Sequence, residues 1–109
     1  MPVVSIPADH IKDWDTFHDV FARVLGFPSF YGRNMDAWID CLTSADEDVG
    51  MLNMVVPSGD VLTLQIENVK DFADRCPEQY AAIIECSSFV NWRRIERGHR
   101  PIIALSFYG

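Results

Sequence analysis

An α/β domain, a small parallel sheet with helices packed on it, is what this sequence predicts, and three observations predict it. Strand-like and helix-like segments alternate along the chain. The last strand, Ile102-Ile103-Ala104-Leu105-Ser106-Phe107, is an almost unbroken apolar run, the pattern of a strand covered on both faces. Third, 109 residues suffice for one core only, so one domain over 1–109 is expected. Hydrophobic residues make up 49% and charged residues 23%, an ordinary globular balance, with seven Phe, three Trp and three Tyr to fill that core.

Taken in order, Val3 to Ile6 is a short strand closed by Pro7. Asp13 can cap a helix in which Trp14, Phe17, Phe21 and Val24 keep helical spacing, and Gly26 stands where a left-handed residue would end it. Phe27-Pro28-Ser29-Phe30-Tyr31-Gly32 is then a loop, fixed by proline and released by glycine. Asn34 caps a second helix to about Thr43, with Met35, Trp38, Ile39 and Leu42 as its inward stripe.

Ser44 to Gly50 is a polar, acidic loop. Met54 to Val56, the turn Pro57-Ser58-Gly59-Asp60 and Val61 to Ile66 can form a hairpin, so this segment is an extra loop or hairpin before the next strand. Asn68 to Arg75 is a short helix. Pro77 suits the first turn of a longer one reaching about Arg97, with Ala81, Ile84, Ser88, Trp92 and Ile95 as its stripe and Gly98 as its end.

Sixteen acids against nine Lys and Arg give a formal charge of −7. That field repels nucleic acid, whose affinity comes mainly from neutralised phosphates, and it repels an anionic membrane surface. A basic protein would be attracted and steered in. The first residues show no basic stretch leading into a long apolar one, and no apolar run approaches the ~20 residues that span a bilayer. Cys41, Cys76 and Cys86 are odd in number and form no CxxC pair, so they read as free thiols in a reducing, cytoplasmic compartment.

Catalytic motifs are missing: there is no phosphate loop, no GxGxxG and no GxSxG, and no cofactor or metal is implied. His10, His18 and His99 are scattered, and His18 reads as a surface or boundary residue of the first helix. Cys41 follows Asp40 but has no local histidine to activate it, so it reads as a buried thiol. Asp46-Glu47-Asp48 lacks the length and period of a calcium loop and reads as solvated.

One feature stands apart. Asp36 and Asp40, four residues apart, share the helix face opposite Trp38 and Leu42. The helix dipole accounts for Asp36 in the first turn. Asp40 has only Asp36, Ala37, Thr43 and Ser44 as helical neighbours, none basic and one of like charge. Such a pair costs roughly 0.2–0.5 kcal/mol in an isolated helix. Beside it lie Phe30, Tyr31, Ile39 and the Thr43 hydroxyl. Carboxylates flanked by aromatic and apolar groups suit a basic cleft, where they can accept paired bonds from arginine.

The stretch Ile11 to Thr43 resembles the barstar family without a gap, above all through Tyr31-Gly32-Arg33-Asn34-Met35-Asp36-Ala37-Trp38-Ile39-Asp40-Cys41-Leu42-Thr43. The C-terminal part is similar more loosely. The resemblance implies a three-stranded parallel sheet with about four helices and an intracellular inhibitor of a ribonuclease rather than an enzyme. It implies that the second helix and its preceding loop enter the target's active site, where carboxylates take the place of RNA phosphates. The implied contacts are Phe30, Gly32, Asn34, Met35, Asp36, Ile39, Asp40 and Thr43.

The chain departs from the family pattern at several places. Phe30 replaces a tyrosine, Arg33 stands where the family has an acid, and a further acidic contact falls on Arg93 or Arg94 according to the alignment chosen. The loop after the second helix is longer. Changes at a rim alter partner choice more than affinity, so the alternative is an interaction or immunity-type module of the same fold whose partner is not a ribonuclease. A third reading, a hydrolase using Asp36 and Asp40, lacks a histidine or third acid beside them.

Overall fold

The structure, a computed structural model, describes residues 2–47 and 50–109. Met1, Asp48 and Val49, and so one member of the acidic cluster, lie outside the described residues. Along the chain run β1 (Val3–Ile6), a 3-10 turn (Ala8–His10), α1 (Trp14–Leu25), α2 (Met35–Thr43), β2 (Leu62–Ile66), α3 (Val69–Arg75), α4 (Pro77–Glu96) and β3 (Ile103–Phe107). The strands form one parallel sheet in the order β1-β2-β3, with Val3 opposite Thr63 and Thr63 opposite Ala104. Parallel neighbours need crossover connections, which α1 and α2 provide before β2, and α3 and α4 before β3. The predicted α/β class, three parallel strands with four helices among the described residues, is the fold observed.

Local chemistry sets the element ends. The Asp13 carboxylate accepts from the Thr16 N–H at 2.8 Å while the Asp13 N–H donates to the Thr16 hydroxyl at 3.0 Å, a reciprocal cap that starts α1. Gly26 ends it with φ +67°, and a Cβ there would lie 2.4 Å from the Asn53 Cβ, so both backbone and space require glycine. The core then closes through aromatic contacts. Phe17 meets Phe21 at 4.7 Å between ring centroids, and Phe21 and Trp38 form a T-shaped pair with centroids 5.6 Å apart.

Three expectations need correction. β3 is not covered on both faces: β2 is the central strand, with Leu62, Leu64 and Ile66 buried, whereas β3 is an edge strand whose Phe107 is exposed. The segment before β2 is an extra loop and not a hairpin. The N–H of Val56 is bonded to Ala45 O and that of Asn53 to Leu25 O, both at 2.8 Å, so these donors tie the segment to the ends of α2 and α1. Val56 is buried, with Leu52 and Met54 packed on the core.

The third correction concerns α4. Its buried face is Gln79, Ile83, Ser87, Val90 and Arg94, while Ala81, Ser88, Trp92 and Ile95 of the expected stripe are exposed and Ile84 is half-buried. Both rows have helical period. The inward one carries three polar residues, so a count of apolar residues selects the wrong face.

Candidate protein-binding face

The loop before α2 is held from beneath and from the side. The Tyr31 hydroxyl lies 2.6 Å from His18 Nδ1, and the Tyr31 ring lies 4.6 Å from that of Phe27. Arg33, at φ +53°, donates to the Asp15 carbonyl (2.9 Å) and carboxylate (2.6 Å) and pairs with Asp19 at 3.0 Å. These contacts fasten the loop to α1. Phe30 between them projects outward, 74% exposed.

His18, expected at the surface or boundary of α1, is instead buried, because its ring is enclosed by Trp14, Phe17 and Tyr31. Burial, reinforced by the charge of Arg33, lowers its pKa below the ordinary imidazole value. The folded state therefore resists protonation. Its contribution to stability is complete above about pH 6.5 and falls as the pH drops below that value, because the unfolded chain takes the proton first. Replacing His18 with Asn is expected to give a protein whose melting-temperature deficit, measured by calorimetry, is largest near neutrality and shrinks on acidification.

At the start of α2 the Asn34 side chain accepts the Ala37 N–H at 2.8 Å, which fixes the helix and hence the two carboxylates in its first and second turns. Asp36 and Asp40 are both exposed, as are Gly32 and Asn34. Met35 and Thr43 are half-buried, and the Thr43 hydroxyl donates to Ile39 O at 2.7 Å. Ile39 is only 8% exposed and belongs to the core cluster, so it supports the face from below and offers little surface of its own.

Asp40 lacks a basic neighbour along its own helix but not in space. Arg93 Nη1 of α4 lies 2.7 Å from Asp40 Oδ1, and the Arg93 guanidinium carbon sits 5.3 Å from the centroid of the Phe89 ring. Arg94, its neighbour, points inward to Asp46, Thr43 O and Arg100 O. The two arginines that sequence comparison leaves interchangeable are thus distinct, one on the face and one in the interior.

Asp40 lies on the wall between two clefts. The smaller, about 170 Å³, is lined by Phe30, Gly32, Ala37 and Cys41. The larger, about 490 Å³, is lined by Thr43, Glu47, Arg93, Arg97 and His99. Cys41 is a buried thiol, as expected, and burial together with the Asp40 charge pushes its pKa up to about 11, so at neutral pH it is protonated and a poor nucleophile. Among the described residues no group of three or more His, Cys, Asp or Glu could hold a metal ion.

What sequence reasoning missed is the contribution of α4: the Arg93 bridge and the exposed rings of Phe89 and Trp92. One signal was available, since Arg93, Arg94, Arg97 and Arg100 are four of the nine basic residues of an acidic chain. A search of curated proteins finds no match. Residues 1–105, nearly the whole chain, match the family described as barstar (barnase inhibitor), and the chain belongs to the barstar family.

Proposed function

We propose that this protein inhibits a basic ribonuclease inside the cell and performs no catalysis itself. The observation that carries the reading is the pair of exposed carboxylates, Asp36 and Asp40, on a helix capped by Asn34 beside the projecting Phe30. A ribonuclease holds RNA through cations that meet phosphates. Those cations can meet carboxylates instead, as charge-assisted bonds in a cleft from which water is expelled. The smaller cleft gives a guanidinium or ammonium a path to Asp40 between aromatic and apolar walls. The formal charge of −7 favours encounter with such a partner. Cytoplasmic placement agrees with the three free cysteines.

The test is RNA cleavage by barnase titrated with this protein. Activity is expected to fall linearly to an end point at equal molar amounts. Undiminished cleavage, with no complex in calorimetry, would remove the ribonuclease reading. A second reading, an interaction module with a different partner, is favoured by Arg33 and by Arg93, which places positive charge directly on the acid face. Capture from cell extract with wild-type and Asp40→Ala baits, followed by an RNase assay of what is held, separates the two.

A further inference from the structure

α4 carries two rows of helical period, and the core covers only one of them. The other row, Ala81, Glu85, Ser88, Trp92 and Ile95, is exposed along its whole length. Its residues recur at alternating steps of four and three, the spacing of a seam between paired helices. Trp92 is 55% and Ile95 54% exposed, and Phe89 borders the row with its ring centroid 5.6 Å from that of Trp92. Single exposed apolar residues need no explanation, but three at successive turns of one helix form a continuous patch of the kind that contacts a partner. Ala81 and Ser88 in the same row are small, which lets a second helix come close.

The charges around the patch say which helix that is. Glu78 and Glu85 stand in the first half of α4, and Arg93, Arg97 and Arg100 in its last turn and just beyond. Glu85 and Arg93 are equidistant from Phe89 along the chain, as are Glu78 and Arg100. Two copies of α4 laid antiparallel about a two-fold axis at Phe89 therefore set Glu85 of each against Arg93 of the other, and Glu78 against the basic end. Glu96, the acid at that end, falls opposite Ala82 and has Arg93 and Arg97 as neighbours on its own chain. Each Trp92 lies near Ser88 of the other copy, a large side chain against a small one. Glu85 has no ion partner among the described residues. Arg93 gives one N–H to Asp40 and keeps others that can reach a carboxylate. A parallel pair would instead set acid against acid and base against base.

We infer that the outer row of α4 is a self-association face whose occupant is the antiparallel α4 of a second copy. Such a dimer forms whether or not the acid face binds a ribonuclease. A single pair of helices about 30 Å long is a small interface, so the dimer is expected at micromolar concentrations and above.

The test is sedimentation equilibrium of the protein alone, from micromolar to millimolar concentration, for wild type, Trp92→Ala, Glu85→Arg and Glu85→Arg/Arg93→Glu. Melting temperatures of the dilute proteins control for folding. Trp92→Ala and Glu85→Arg are each expected to weaken the dimer about ten-fold or more with little change in melting temperature. The double variant, with both charges exchanged, is expected to recover most of what Glu85→Arg loses. A wild type that stays monomeric throughout, or a dimer indifferent to Trp92→Ala, would overturn the proposal. Failure of the exchanged pair to recover would overturn the antiparallel arrangement and the proposal with it. A monomeric wild type whose Trp92→Ala variant binds barnase more weakly would give the row to an inhibited enzyme and overturn it as well.

Discussion

Asp40→Ala is expected to abolish ribonuclease inhibition at concentrations where the wild type is saturated, and Asp40→Ala/Arg93→Ala is expected to recover part of the loss. In the free protein the Asp40–Arg93 pair is largely solvated, with the Asp40 side chain 60% exposed, so its removal costs the fold only about 0–1 kcal/mol. In the proposed complex the same carboxylate would be desolvated against a cation of the partner. Deleting it leaves two positive groups, the partner's and Arg93, facing one another without compensation. Loss of one member of a buried charge pair costs about 3–5 kcal/mol, roughly two to three and a half orders of magnitude in affinity. Removing Arg93 as well relieves the like-charge repulsion, worth about 2 kcal/mol for two unit charges ~8 Å apart at an effective dielectric of ~20.

Asp36 has no ion partner among the described residues, so Asp36→Ala releases no cation on this chain and is expected to cost less than Asp40→Ala. Inhibition constants for the four proteins, with melting temperatures as a control on folding, check the whole pattern. If the double variant is no better than Asp40→Ala, Arg93 does not face the partner's charge.

What was legible in the sequence was what neighbouring residues decide together. Asp13, Gly26 and Asn34 announce the ends of α1 and α2 because capping is settled within three or four residues. The acid face was legible for the same reason, since Phe30 to Thr43 is one loop and one helix in succession. Ile39 shows the limit of that reading. It sits at the border of the helix wheel, and only the packing of α2 on the rest of the core shows that it points inward.

The role of α4 was not legible, because it depends on contacts between distant segments. Asp40 and Arg93 are separated by 53 positions, and no periodicity connects them. Apolar content pointed to Trp92 and Ile95 as core, whereas the helix buries Gln79, Ser87 and Arg94 and leaves those two side chains outside. A charged residue can occupy an inward position only when partners from elsewhere in the chain come to meet it. The segment before β2 was misread in part for a similar reason: the Val56 N–H finds its acceptor at Ala45, not across a turn.

Asp46→Ala is the substitution expected to cost the fold most among those at charged residues. Arg94 is almost fully enclosed, its side chain 8% exposed, and four acceptor contacts justify its position. Two come from the Asp46 carboxylate, at 3.1 and 2.9 Å, and one each from Thr43 O at 2.9 Å and Arg100 O at 2.8 Å. Removing the carboxylate leaves a buried guanidinium with neutral acceptors only, at a cost of about 3–5 kcal/mol. For a chain of this size that lowers the melting temperature by about 10–20 °C or more.

Arg94→Met is expected to cost less, because it removes the buried charge itself and fills much of the same volume. Acid titration gives an independent check. Hydrogen bonds from Arg94 hold the Asp46 carboxyl below its ordinary pKa, so its contribution is complete above about pH 4 and is lost as the pH falls through the lower folded value. Denaturation curves of wild type and Asp46→Ala are therefore expected to differ most near neutrality and to converge in strong acid. The consequence reaches the candidate binding face. Arg94 ties the last turn of α2 to α4 and to the segment before β3, and Arg93 is its neighbour, so loosening this joint displaces the cation that sits against Asp40. Asp46→Ala should then weaken inhibition even at temperatures where the protein remains folded, and Arg94→Met, which keeps the packing, should weaken it less.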